Sequence, residues 1–368
     1  MKKNFLQKNE RGDYLLLIAV LMLATVGTIF IYSASNYSAK ATYNDKFFFV
    51  KKQILGIVIG SVVMLITSFT DYNKLSKLTP YISVLSFVLL CLVFVPSIGV
   101  ENYGARRWIK LGPLTMQPSE ISKFALILFS ATYFSKNPEK SKTLIGLLPV
   151  FAFGLLTCAL IILEPNMSIT VCVALLLMTM LFSAGMKLKY FFALIVPAIL
   201  IGVILILIEP YRLKRLSAFL NPWSSPKGEG YQLLQSLYAL GSGGFFGVGL
   251  FNSRQKYAFL PFAESDFILS VIGEEIGFFG ILAFFSLIAF IVYRGIRIAF
   301  NAKNLFGYML SIGITMIFGI QAIVNALVVT GSIPPTGLPL PLVSSGNTSI
   351  IIFMAEMGIL YSISKKQS

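Results

Sequence analysis

The chemistry of this chain is concentrated in a few charged side chains set into apolar runs. The stretch Tyr257–Gly280, YAFLPFAESDFILSVIGEEIGFFG, starts polar and continues as an apolar run, with Asp266 at the crossing point. A carboxylate half out of water suits a general base near neutral pH, because desolvation raises carboxylate pKa values. Asp also caps helices, and Pro261 just upstream helps set a helix start, so residue types alone leave base and cap both open. Glu120 and Lys123, in QPSEISKF, are three apart and share one helical face, close enough to pair. Such a pair is either functional or a structural interhelical ion pair. Glu274 and Glu275 follow Asp266 in the same run. Glu274, eight residues on, falls at a similar azimuth to Asp266 on a helix of 3.6 residues per turn. Glu356 is another acid in an apolar run. These acids read as proton-relay groups or as packing partners for Lys123.

The elements that must position them are membrane helices. The chain of 368 residues is 56% hydrophobic and 12% charged, with mean hydropathy +0.81. At ~20 apolar residues per span there is room for about ten. The expected fold is an all-α polytopic membrane protein, a single domain over 1–368. Its transmembrane helices are expected near 14–34, 53–70, 79–97, 117–135, 144–163, 167–185, 190–208, 267–292, 305–329 and 347–363. The basic N-terminus precedes an apolar run of full span length, which reads as a retained first helix rather than a cleaved signal. The absence of histidine excludes His-based triads, metal sites and proton relays. Cys91, Cys158 and Cys172 all fall in apolar runs and read as inert small hydrophobes. No phosphate-binding glycine loop suggests ATP-driven work.

The formal charge of +15 is explained mostly by topology, not by nucleic acid. Lysines and arginines crowd both tails and the short connections after even-numbered spans, which predicts both termini in the cytoplasm. The outer face carries the largest loop, about 209–266, between helices 7 and 8. That face also holds Arg106 and Arg107 in the third connection and Arg212, Lys214 and Arg215 in the large loop. Outward-facing cations at a membrane suit an anionic, lipid-linked substrate; ordinary solvated loop charge is the alternative. Helical spacing from Gln232 to Leu240, followed by five glycines, predicts a folded cap rather than a linker. Pro334, Pro335, Pro339 and Pro341 forbid a regular helix in TGSIPPTGLPLPLVSSGNTS, so that segment should line a cavity or face water.

Several stretches, in order, resemble the FtsW/RodA/SpoVE (SEDS) family. They are YSAS, ARRWIKLGPLTMQPSEISK, NPW, GYQLLQS, GSGGFFGVGL, FLPFAESDFILSVIGEEIGFFG and GLPLPLVSSGNTS. The opening GDYLLLIAVLMLATVGTIFIYSAS is closer to FtsW and SpoVE than to RodA. The resemblance implies a ten-helix protein of the bacterial cytoplasmic membrane that polymerises lipid II into glycan strands on its outer face, in cell division, elongation or sporulation. It implies a class B penicillin-binding protein as partner, with other division or elongation proteins and membrane lipid around it. Asp266 matches the family's essential aspartate, and Glu120 and Lys123 match its paired acid and base. The chain departs from the pattern at ESDF, where Glu264 adds a second acid, at EPNMS (164–168) and at VSSGNTS.

In that reaction the acceptor 4-hydroxyl attacks the donor's anomeric carbon with inversion, and undecaprenyl diphosphate leaves. One base suffices, and Asp266 is the candidate. The leaving charge needs cations: Arg106, Arg107, Lys123, Arg212 and Arg215 are candidates, as is a divalent ion, Mg2+ or Mn2+, although the sequence shows no ligand cage for one. Glu274 is a candidate support. The competing readings are a lipid II flippase or other secondary transporter, and a non-catalytic division scaffold. A transporter should hold its charges near the midplane; here they gather at the outer end.

Overall fold

The computed structural model describes residues 12–366, apart from 103, 104, 112, 113, 209, 229, 258 and 336. Each of the ten apolar segments expected from the sequence falls on a helix: α1 (Tyr14–Tyr43), α2 (Phe48–Phe69), α3 (Leu75–Leu92), α4 (Pro118–Lys136), α5 (Leu144–Leu163), α6 (Met167–Ser183), α7 (Leu188–Ile208), α10 (Ile268–Phe300), α11 (Leu305–Val329) and α12 (Asn347–Lys365). Among the described residues, seven helices are long and apolar enough to cross a membrane: α1, α2, α3 with its preceding turn, α5, α10, α11 and α12. α11 and α12 are the most enclosed of these, with 67% of the apolar window buried, against 22% for α2, α3 and α10. The bundle is therefore built around α11, while the apolar outer faces of α2, α3 and α10 meet lipid.

Small residues set the seams. Along α2, Gly56 and Gly60 lie against Asn347 and Met354 of α12, and Gly358 returns the contact against Met64. This is the close approach that small side chains permit between membrane helices, where no hydrophobic effect separates packing from lipid contact. At its N-terminus, Asp13 caps α1 through Leu16 N–H and accepts from Arg294 Nε and Nη2 at 2.7 and 2.6 Å, pinning α1 to α10.

The structure departs from an all-α reading in the connection before α4. There β1 (Gly99–Asn102), β2 (Ala105–Leu111) and β3 (Leu114–Met116) form an antiparallel sheet in the order β1-β2-β3. Among the sheet residues whose burial is described, Ile109 is the buried apolar one, so the alternation that marks a strand was too short to read against the arginines and glycines around it. The large loop holds α8 (Pro210–Leu220) and α9 (Tyr231–Gly243), the latter as its periodicity predicts. α9 docks through Ser236, whose hydroxyl meets Ser270 Oγ at 2.8 Å and donates to Val329 C=O at 2.7 Å.

A second departure concerns α10. The expected single span breaks at Gly277 (φ 65°, ψ −167°). A break leaves helix-end N–H and C=O groups without partners. The glycine-rich segment 244–249 supplies them: Val248 and Gly249 N–H donate to the carbonyls of Glu274 and Glu275 at 2.9 and 3.1 Å, and Phe278 and Phe279 N–H donate to those of Gly244 and Phe245 at 2.9 and 3.2 Å. The first part of α10, from Ile268 to Glu275, is wholly buried. The second, Phe278–Phe300, is about 35 Å long at 1.5 Å per residue, enough by itself for a bilayer core of ~30 Å.

Candidate active site

Asp266 lies just before α10, half-buried, with Phe267 as the residue preceding the first helical turn. Its surroundings come from the far end of the chain. Gly337 has φ +73°, and a Cβ there would stand 3.2 Å from Asp266 Oδ2, so a side chain at 337 would crowd the carboxylate. Asn325 of α11 donates to Asp266 C=O at 2.9 Å and to Leu338 C=O at 2.7 Å. Ser344 Oγ donates to Ser265 C=O at 2.6 Å, and Ser345 N–H to Glu264 C=O at 3.0 Å. The strip 264–266 is thus sewn to the proline-rich segment 337–345. Among the described residues of that segment no helix forms, as its prolines require. Glu264 is also half-buried, and burial pushes its carboxyl above the ordinary range, partly opposed by a backbone N–H.

Glu120 and Lys123 pair at 2.8 Å on the first turns of α4, which opens at Pro118. Their side chains are 1% and 3% exposed, so the pair is enclosed by protein. Lys123 also donates to Gln321 Oε1 at 2.8 Å and lies 5.4 Å from the centre of the Phe353 ring. Its ammonium is engaged on several sides within the bundle. That geometry leaves the ammonium enclosed by Glu120, Gln321 and Phe353.

The shared helical azimuth expected for Asp266 and Glu274 does not hold, since the helix begins at Ile268. The Glu274 carboxylate instead accepts from Ser253 Oγ and from the N–H groups of Arg254 and Gln255. Its neighbour Glu275 accepts from Ser33 Oγ of α1 and Ser253 N–H, with Lys256 Nζ at 3.6 Å. Both acids fasten the segment 253–256 to α10, and Glu275 also to α1.

The candidate cations separate. Arg106 and Arg107 are adjacent on β2 where its register against β1 shifts: Glu101 faces Arg106 and Val100 faces Trp108, which leaves Arg107 as the extra residue of a bulge. Arg106 bonds Glu101 across the sheet at 3.1 Å, largely in solvent. Arg107 turns to the end of α5 and donates to the carbonyls of Glu164 and Pro165. Burial pushes the Glu164 carboxyl up to about 8, with Arg107 holding it lower than burial alone would. Arg212 and Arg215 lie on α8; their side chains fall outside the described residues. Glu356 of α12 is fully buried and senses the charges of Lys123 and Glu120. Among the described residues no group of three or more His, Cys, Asp or Glu side chains gathers as a metal-holding cluster.

Gln321 and Asn325 carry no charge and escaped the sequence reading. Two amides four apart in an otherwise apolar span are the signal that could have found them, since polar groups at that depth are costly.

Known proteins carry the same arrangement of elements. The chain is 40% identical over 353 residues to a probable peptidoglycan glycosyltransferase FtsW of Trichlorobacter lovleyi, covering 96% of this chain and 93% of that one. It is 38% identical to stage V sporulation protein E of Bacillus subtilis, covering 97% and 98%. Its fold matches a chain of a peptidoglycan synthase complex with TM-score 0.79 at 24% identity, over 97% of this chain and 98% of that one. It matches the rod shape determining protein RodA of Thermus thermophilus with TM-score 0.70 at 23% identity, over 99% of both. The cell cycle protein family defined by FtsW, RodA and SpoVE matches residues 14–368, and the chain belongs to that family.

Proposed function

We propose that the protein is a peptidoglycan glycosyltransferase that polymerises lipid II on the outer face of the cytoplasmic membrane, with Asp266 as the base. The reading is carried by one observation: a half-buried carboxylate beside Gly337, between the start of α10 and the proline-rich segment. Relatives at 40% identity named as glycosyltransferases support the reaction class. Asp266 takes the proton of the acceptor 4-hydroxyl as it attacks the donor's anomeric carbon. The bond to the diphosphate oxygen breaks, and undecaprenyl diphosphate leaves with that electron pair. Of the described cations, Arg106 is the exposed one best able to meet the diphosphate, its solvated bond to Glu101 being weak. Arg212 and Arg215 are further candidates by their place on α8. A class B penicillin-binding protein is the proposed partner; a related fold comes from a complex described as coordinating polymerization and crosslinking. Both termini are cytoplasmic in this arrangement. A transporter is disfavoured because Glu120 and Lys123 are spent on each other and on Gln321 and are closed off by protein.

The test is purified protein, alone and with candidate transpeptidases, incubated with labelled lipid II and read on a gel as glycan strands. Asp266→Asn keeps size and capping ability but cannot accept a proton. It should fold, bind the partner and lose at least ~10²-fold in rate. Near-native polymerisation by Asp266→Asn would end the assignment, and Glu264 would be the next acid to change.

A further inference from the structure

We propose that Gln321 and Asn325 are positioning residues that hold the reacting carboxylate in place, and that the Glu120–Lys123 pair acts through them. The proposal rests on the glycosyltransferase reading for its kinetic part. Both amides are wholly buried, and their i, i+4 spacing puts them on one face of α11. Their orientations follow from their partners. Asn325 Nδ2 reaches two carbonyls, Asp266 and Leu338, which only a donor can satisfy. Gln321 Oε1 accepts from the Lys123 ammonium at 2.8 Å, which leaves Nε2 to donate to Pro339 C=O at 3.0 Å.

The two amides therefore take consecutive carbonyls of one strip, Leu338 and Pro339, immediately after the glycine that lies beside the Asp266 carboxylate. That strip needs outside donors. Pro339 and Pro341 have no N–H, and a proline-rich backbone forms no ladder of its own. Asn325 joins the strip to the backbone of Asp266 itself. Gln321 joins it to Lys123, and Lys123 to Glu120, 2.8 Å further on. Glu120 and Lys123 thus have a route to the reacting carboxylate without contact with substrate. The ammonium fixes which way the Gln321 amide faces, the amide holds Pro339, and the strip holds the wall beside Asp266.

Gln321→Glu separates this from a role in merely neutralising Lys123. It preserves size and the bond from the ammonium, and it removes the N–H that reaches Pro339. Asn325→Asp likewise removes the donor to both carbonyls. Gln321→Leu removes both bonds. A misplacement of about 1 Å can cost on the order of 10²-fold in rate. In lipid II polymerisation, Gln321→Glu and Asn325→Asp should lower kcat by roughly 10-fold or more while KM stays within about twofold. Adding Lys123→Met to Gln321→Leu should lower kcat little further. Hydrogen exchange of the unliganded protein should rise in peptides covering 337–344 for all three variants. A native kcat in Gln321→Glu, a change confined to KM, or unaltered exchange in 337–344 would each overturn the proposal. If the native protein makes no glycan with any partner, the glycosyltransferase reading fails instead, and the exchange measurement alone decides whether the tether exists.

Discussion

Lys123→Met removes the ammonium from a carboxylate that water does not reach. Glu120 is 1% exposed, and the partner it loses stands at 2.8 Å. Gln321 Oε1 loses its donor, also at 2.8 Å, in the same change. A buried pair broken on one side costs about 3–5 kcal/mol, because the remaining charge stays uncompensated. Replacing both members, as in Glu120→Leu with Lys123→Met, leaves no stranded charge and should return stability to near native or above. The assay is thermal unfolding of detergent-purified protein for both singles and the double, with lipid II polymerisation measured on the same preparations. The expected pattern is two strongly destabilised singles, a double close to native in melting, and a double that remains slow because nothing then orients Gln321. Additive losses of stability, or a Lys123→Met protein that melts like the native one, would refute the enclosed pair. A double that polymerises at the native rate would refute its link to the site.

Glu164 predicts a pH dependence. Its carboxyl is raised from the ordinary 4.5 to about 8 in the folded protein, so the folded state binds more protons between those values and stability falls as pH rises through that window. Glu164→Gln should flatten the melting profile between pH 5 and 9; parallel profiles would contradict the burial argument. Gly277→Ala should destabilise by more than ~2 kcal/mol, since a Cβ at φ 65° would meet Gly247 N at 2.3 Å, whereas Gly319→Ala, with its nearest atom at 3.5 Å, is the neutral comparison. Protease sensitivity of the 244–256 loop distinguishes the two. Cysteines placed at Lys227 and Lys140 should react from outside the cell and not react, respectively, with an impermeant reagent; outside labelling at position 140 would reverse the orientation.

Much of this was legible because it is written in long apolar runs. α5 and α11 begin and end where hydropathy says they should, at Leu144–Leu163 and Leu305–Val329. The Glu120–Lys123 pair was legible because three residues on a helix are neighbours whatever surrounds them. The break in α10 was not. Gly277 sits in an apolar stretch where glycine normally signals close helix packing, and the groups that satisfy the broken ends come from residues 244–249, which nothing local reveals. The same holds for Glu274, whose spacing from Asp266 has meaning only on a continuous helix. The split of Arg106 from Arg107 needed the knowledge that they lie on a strand. Gln321 was invisible because its role is defined by a carbonyl 18 residues later and a lysine 198 residues earlier.

That last separation has a consequence for biogenesis. At ~5–20 residues per second, the ribosome reaches Gln321 roughly 10–40 s after it has released Lys123. During that interval α4 must enter the bilayer with a carboxylate and an ammonium near one end, each costing ~2.5–3.5 kcal/mol at mid-membrane if it travels alone. Three residues apart on one helical face, the two can partition as a locally neutral unit before α11 is available to receive the ammonium. The spacing of Glu120 and Lys123 therefore serves the nascent chain first. Only when α11 arrives does the ammonium exchange its temporary isolation for a carboxamide partner.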